Sequence, residues 1–147
     1  MYQRILVATD RSRLSRKAEK AAIGLAASTG ATLVVLHVVP DYPMSYFEGA
    51  VTLAAEEVAR IEKHWTDQGQ TLVDAVVVAA GRQGVQARGV LAHSDKVAEA
   101  VMAGARKHKC DLIVMASHGR RGIARVLLGS ETQHVLTHST IPVLVLR

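Results

Sequence analysis

The residues best equipped for chemistry lie together near the C-terminal end. They read Met115-Ala116-Ser117-His118-Gly119-Arg120-Arg121-Gly122, then Leu128-Gly129-Ser130-Glu131. The run Asp111–Ala116 just before them has the strongest strand character in the chain. In an open α/β sheet, ligands bind beyond the carboxyl ends of strands, where the winding reverses. This loop leaves such an end. Gly119 and Gly122 allow close backbone approach and φ values closed to other residues. Gly129-Ser130 opens a helix, and Ser130-x-x-Gln133 has capping-box spacing. A helix start offers unpaired N–H groups and the positive end of the macrodipole, and Arg120 and Arg121 add charge at the rim. The set from 115 to 131 suits an anion, and above all a phosphate chain. Taken alone, the glycines fit a tight turn before a capped helix equally well. The loop lacks the Gly-Lys-Ser/Thr of a Walker A sequence, and a dinucleotide fingerprint would follow the first strand instead.

Other chemical groupings are weaker. His93-Ser94-Asp95 holds the residue types of a hydrolase triad, but sequence neighbours cannot adopt that geometry, and no Gly-x-Ser-x-Gly elbow exists. Ser94 reads better as the N-cap of the next helix. His134 and His138, four apart, have metal-ligand spacing but no supporting cysteine pair or His-Glu-x-x-His. His118 sits inside the proposed phosphate loop, as a group that titrates with phosphate or as a turn histidine. His37 reads as a hydrogen-bonded core histidine and Cys110 as a small core residue, with redox sensing the alternative for Cys110.

These groups must be carried by an alternation of strands and helices that runs the length of the chain, the signature of a parallel sheet covered on both faces. Ile5–Thr9 is an unbroken apolar run, as a strand buried on both sides requires. A helix follows over about Ser12–Ser28, with Leu14, Ala18, Ala21, Ala22 and Leu25 on one face, and Gly30 stops it. The second strand, Thr32–Val39, ends at Pro40. After a loop at Asp41–Phe47 comes a helical stretch from Gly49 to Ala80. Its length is unusual for a globular helix, and Gly69 marks the place for a bend or break. Gln86–Leu91, Asp95–Lys107, Asp111–Ala116, Ser130–Thr137 and Pro142–Leu146 complete the alternation. There is no linker, so residues 1–147 read as one domain.

Composition narrows the classes further. Hydrophobic residues make up 49% of the chain and aromatics only 3%, so the core must be aliphatic. No apolar run reaches the ~18 residues that a membrane span needs. Met1-Tyr2-Gln3-Arg4 leads straight into a strand, and one cysteine allows no internal disulfide; both favour a cytoplasmic protein. The net charge of +5 gathers at Arg11, Arg13, Arg16, Lys17 and Lys20, and again at Arg120, Arg121 and Arg125. Phe47, Trp65 and the three tyrosines lie far from both clusters in sequence, so the stacking groups of nucleic-acid modules are missing. The first cluster reads as a solvated helix face.

The loop also carries a family resemblance. Ile113–Arg147, with Arg4-Ile5-Leu6-Val7-Ala8-Thr9-Asp10 and Leu36-His37-Val38, resembles the universal stress protein family, and the likeness covers essentially the whole chain. The family's element is Gly-x2-Gly-x9-Gly-Ser/Thr; here Gly119, Gly129 and Ser130 match, and Ala116 replaces the first glycine. The resemblance implies a Rossmann-like, open five-stranded parallel sheet in the order 3-2-1-4-5, with ATP between strands 1 and 4. Asp10 would accept hydrogen bonds from the ribose hydroxyls, while Ala8, Thr9 and Val38 wall the adenine. Met115 and the loop Ala116, Ser117, His118, Gly119, Arg120 and Arg121 would wrap the phosphates. Gly129, Ser130 and Glu131 would close the site, with Mg²⁺ or an outward rotamer relieving the Glu131 charge.

The family also implies a homodimer through the last strand, and Ile141–Leu146 independently reads as an apolar sheet edge that invites pairing. The expected function is that of a cytoplasmic ATP-binding stress protein, a nucleotide-dependent switch acting on a regulatory protein partner. It is not expected to be an enzyme beyond slow ATP hydrolysis. The alternative is a dimeric interaction protein that has lost the nucleotide, supported by Ala116 and Glu131. An adenylating enzyme would need a His-x-Gly-His or Ser-Gly-Gly-x-Asp-Ser loop, and neither is present.

Overall fold

The computed structural model describes residues 1–43, 54–119 and 128–147. Its strands are β1 (Arg4–Ala8), β2 (Thr32–Val39), β3 (Ala87–His93), β4 (Leu112–Ala116) and β5 (Val143–Leu146). Its helices are α1 (Arg13–Thr29), α2 (Ala55–Arg82), α3 (Val97–Lys107) and α4 (Ser130–His138). All strand pairings are parallel, in the order β3-β2-β1-β4-β5 that the resemblance implied. β1 is central, and the winding reverses between it and β4.

Alternation along each strand divides the core into two layers. Ile5, Val7, Leu33, Val35, Leu112 and Val114 pack with α1 and α2. Leu6, Val34, Leu36, Ile113 and Met115 pack with α3 and α4. Every residue of β4 is buried, which accounts for its unbroken apolar sequence.

Helix α1 starts and stops where its sequence indicates. Ser12 caps it by accepting the Ser15 N–H at 3.0 Å, and Gly30 ends it in the left-handed region at φ 74°. The face against the sheet is Ser15, Ala18, Ala22, Ile23 and Ala26, whereas Leu14, Ala21 and Leu25 are half-buried on its flank. Small alanines let the helix approach closely, and the larger leucines fill its side.

Three local expectations are overturned. Gly69 does not break α2, which is one helix from Ala55 to Arg82. It is instead a contact point: a Cβ there would lie 2.7 Å from His37 Cδ2. Ser94 does not cap α3. Its Oγ accepts the Lys96 N–H in a turn, and the helix starts at Val97. Ser130 does not cap α4 either, because the N-cap is Gly129 and Ser130 is already helical. Residues 49–53, at the start of the expected second helix, lie outside the described residues, as does loop segment 44–47.

Candidate functional site

The site grows from two strand ends that the sheet places side by side. At the end of β1, the Thr9 N–H bonds the Leu36 carbonyl at 2.9 Å, so the chain stays in line with β2 for one residue more. It then turns through Asp10 and Arg11, and Arg11 takes a left-handed φ of 68°. Asp10 stabilises this turn by accepting the Ser12 N–H on Oδ1 at 2.9 Å. The carboxylate therefore stands at the mouth of the β1–α1 connection, fixed by its own backbone.

At the end of β4, the Ser117 N–H bonds the Leu146 carbonyl at 2.7 Å. The loop then closes on itself, with the Gly129 N–H donating to the Ser117 carbonyl at 2.7 Å. Thr132, buried in the first turn of α4, donates Oγ1–H to the Ala116 carbonyl at 2.9 Å. The start of α4 is thereby pinned to the end of β4. Its first N–H groups, which have no intrahelical acceptors, stand at this junction.

Neither loop glycine in the described residues is needed for an unusual φ. Gly129 has an ordinary φ of −69°, and Gly119 is outside the positive region. Both are needed for space. A Cβ on Gly119 would lie 2.9 Å from Asp10 Oδ2, and one on Gly129 would lie 3.3 Å from the Ser117 carbonyl oxygen. The two strand ends thus approach within the reach of a single missing methyl. Arg120, Arg121 and Gly122 lie outside the described residues, as does Arg125.

The remaining expected residues fall around this junction. Ala8 and Val38, both half-buried, pack on the α3–α4 side of the sheet. Met115, Ala116 and Ser117 are buried. Ala116 is the last residue of β4, in register with Leu146, so its methyl belongs to the sheet. His118 Nδ1 lies 3.0 Å from Ser117 Oγ, and its Nε2 is enclosed without a partner among the described residues. Glu131 takes the outward course: its Oε2 accepts the Ala98 N–H at 2.8 Å and so caps α3. A carboxylate at that positive helix end is well placed, and its charge is engaged away from the loop.

Sequence reading missed the layer behind the site. Thr9 is buried and donates its hydroxyl to Glu19 Oε1. Burial raises the Glu19 carboxyl above its usual range and nearby Asp10 adds to this, while the Thr9 bond and Arg16 oppose it. His37 Nδ1 lies 2.8 Å from the Thr9 carbonyl, as the reading of a hydrogen-bonded histidine expects. Ser15 and Glu19, four apart on α1, were the available signal: two polar residues on a face that otherwise packs alanine.

The other groupings resolve into structural roles. His93 Nε2 pairs with Thr66 Oγ1 and Asp95 accepts the Asp41 N–H, so they point to different partners. His134 and His138 stack at 4.3 Å, and no cluster of metal-ligating side chains occurs among the described residues. Cys110 is buried, and burial pushes its thiol up to about 11, as befits a core residue. No helix among the described residues is long and apolar enough to cross a membrane.

Comparison with known proteins gives this geometry a family. The model of the universal stress protein family matches residues 1–147. The chain belongs to the universal stress protein family. It is 32% identical to universal stress protein YxiE of Bacillus subtilis over 149 aligned residues, covering 100% of both chains. Among solved structures, universal stress protein UspA from Lactobacillus plantarum superposes with a TM-score of 0.85 at 23% identity, over 99% of this chain and 98% of that one. A universal stress protein solved in complex with cAMP superposes at 0.69 with 26% identity, over 99% and 97% of the two chains. In this universal stress protein, the glycine element thus falls at the β1–β4 junction, where the winding of the sheet reverses.

Proposed function

We propose that this protein binds ATP in the crevice between the ends of β1 and β4, and that occupancy of the site makes it a nucleotide-dependent regulator in the stress response. The observation that carries this reading is the close approach of Asp10 to Gly119, with Gly129 seated on the Ser117 carbonyl. A carboxylate, two space-making glycines and a helix start meet there, and these are the elements that recognise a ribose and its phosphate chain. The cAMP complex of a relative is consistent with an adenine nucleotide. Ala8 and Val38 would face the base, with Thr9 anchored behind them to α1, Asp10 would face the ribose, and residues 115–121 with 129–130 the phosphates.

The two features that favour a nucleotide-free protein are weakened by their surroundings. Ala116 occupies a strand position, where one methyl is accommodated by the core. Glu131 is bonded to α3, so its charge is spent on a helix end; Mg²⁺ is not needed to offset it. We read the protein as a cytoplasmic binder rather than an enzyme, because among the described residues none stands out as a general base for the γ-phosphate. It would work as a homodimer joined through 141–146, passing its state to a protein partner.

Isothermal titration with ATP and Mg²⁺ tests the proposal. The wild type should bind at micromolar affinity, and Gly119→Val, whose side chain collides with Asp10, should lose binding by at least about tenfold, equivalent to 1.4 kcal/mol. No heat from nucleotide-free wild type would leave the dimeric interaction protein as the function.

A further inference from the structure

The opposite end of the sheet holds a second basic feature, apart from the ATP crevice. A groove of about 560 Å³ runs beneath the amino-terminal ends of β1, β2 and β3, bounded by the end of α3. Its size is that of a small-molecule site. Arg4, Arg88, Lys107 and Lys109 line it, with Gln86 and His108. Three separate segments therefore bring four cations to one concavity, and none of these four is within ion-pair distance of a carboxylate among the described residues. The nearby Asp111 carboxylate is already engaged, accepting the N–H groups of Gln3 at 2.8 Å and Arg4 at 3.0 Å.

Two details mark the groove as more than a solvated patch. His108 Nδ1 lies 2.9 Å from Arg88 Nη2. A guanidinium can only donate, so Nδ1 accepts and the imidazole proton sits on Nε2. That Nε2–H is enclosed and has no acceptor among the described residues, so the ring's polar role toward the groove is to hold the Arg88 guanidinium, whose charge no carboxylate offsets among the described residues. Lys109 adopts φ 54°, in the left-handed region where glycine is at ease and lysine is not. A cation thus stands at a position whose backbone favours glycine. One feature opposes an anion: the carbonyls at the end of α3, of which that of His108 accepts a hydrogen bond from Arg4 Nη1 at 2.7 Å. Arg4 neutralises that carbonyl while keeping further N–H groups to donate.

We infer that this groove is a second anion site, selective for a small di- or polyphosphate held by Arg4, Arg88, Lys107 and Lys109. Its lining contains no Phe, Tyr or Trp on which a base could stack, so a nucleic-acid strand is the poorer fit.

The test is an NMR titration of the His108 imidazole with inorganic pyrophosphate at fixed pH and salt, together with calorimetry. Saturable binding that moves the His108 resonances is expected in the wild type and, unchanged, in Gly119→Val. Arg88→Gln combined with Lys107→Gln should weaken it by about tenfold or more, since two charge-assisted contacts to the anion are lost. Lys109→Gly should also weaken it while leaving the melting temperature unchanged or higher, which keeps the test valid should the double variant unfold. Absence of saturable binding overturns the inference. So does binding lost in Gly119→Val but kept in the groove variants, which would place pyrophosphate in the ATP crevice. Binding of a single-stranded oligonucleotide but not pyrophosphate would also overturn it.

Discussion

The carbonyl of Ala116 ends a fully buried strand and would face the interior unpaired but for Thr132. Their hydrogen bond, 2.9 Å long and buried, joins the start of α4 to the loop it closes. Thr132→Val keeps the shape and removes the donor. It should cost about 1–3 kcal/mol, the desolvation penalty of an orphaned acceptor, read as a lower midpoint in urea; an unchanged midpoint would show that the carbonyl finds another donor. Glu19 makes a different prediction at the same scale. A carboxyl whose folded pKa lies above its ordinary 4.5 holds its proton more tightly in the native state. Its contribution to stability is therefore full below 4.5 and is lost as pH rises through the raised folded value. Glu19→Gln stays neutral and can still accept from Thr9. It should flatten the pH dependence of the melting temperature above 4.5 and be no less stable at neutral pH. An unchanged slope would remove Glu19 from the account.

At the scale of elements, two helix glycines look alike in sequence and differ in surroundings. A Cβ on Gly24, in α1, would meet nothing within 4 Å, so Gly24→Ala should stabilise by about 1 kcal/mol through helix propensity alone. On Gly69 the same methyl would meet His37 at 2.7 Å and Leu91 and Val39 at 3.3 Å. His37 is tied to the Thr9 carbonyl and cannot simply swing away. Overpacking of about 1–3 kcal/mol then outweighs the propensity gain, so Gly69→Ala should be net destabilising. Thermal unfolding of the two variants side by side checks the opposite signs. Equal shifts would mean that His37 yields freely.

For the whole molecule, the open question is what covers the β5 edge. β5 pairs only with β4 in the described sheet, and Leu144 is 40% exposed on it. On the proposed reading, a second copy would cover this apolar edge. Sedimentation should show a dimer, and Leu144→Lys, a charge set on the edge, should shift it toward monomer. A wild type that stays monomeric at all concentrations would refute the dimer.

Much of this architecture was legible in the sequence. Parallel strands covered on both faces must be continuous apolar runs, so β1, β2 and β4 announce themselves, and Gly30 marks a helix end by its backbone freedom. Strand order and the position of the glycine loop followed from the family element, which Ala116 leaves recognisable. Partners across the fold were not legible, because a side chain's neighbour depends on packing between elements distant in sequence. Gly69 reads as a helix breaker until His37 is placed against it. Glu131 reads as a charge beside phosphates until the start of α3 arrives to take its carboxylate. Arg4, Arg88, Lys107 and Lys109 are scattered through the chain. Only the parallel sheet, by bringing the strand starts to one end beside the close of α3, makes them one groove.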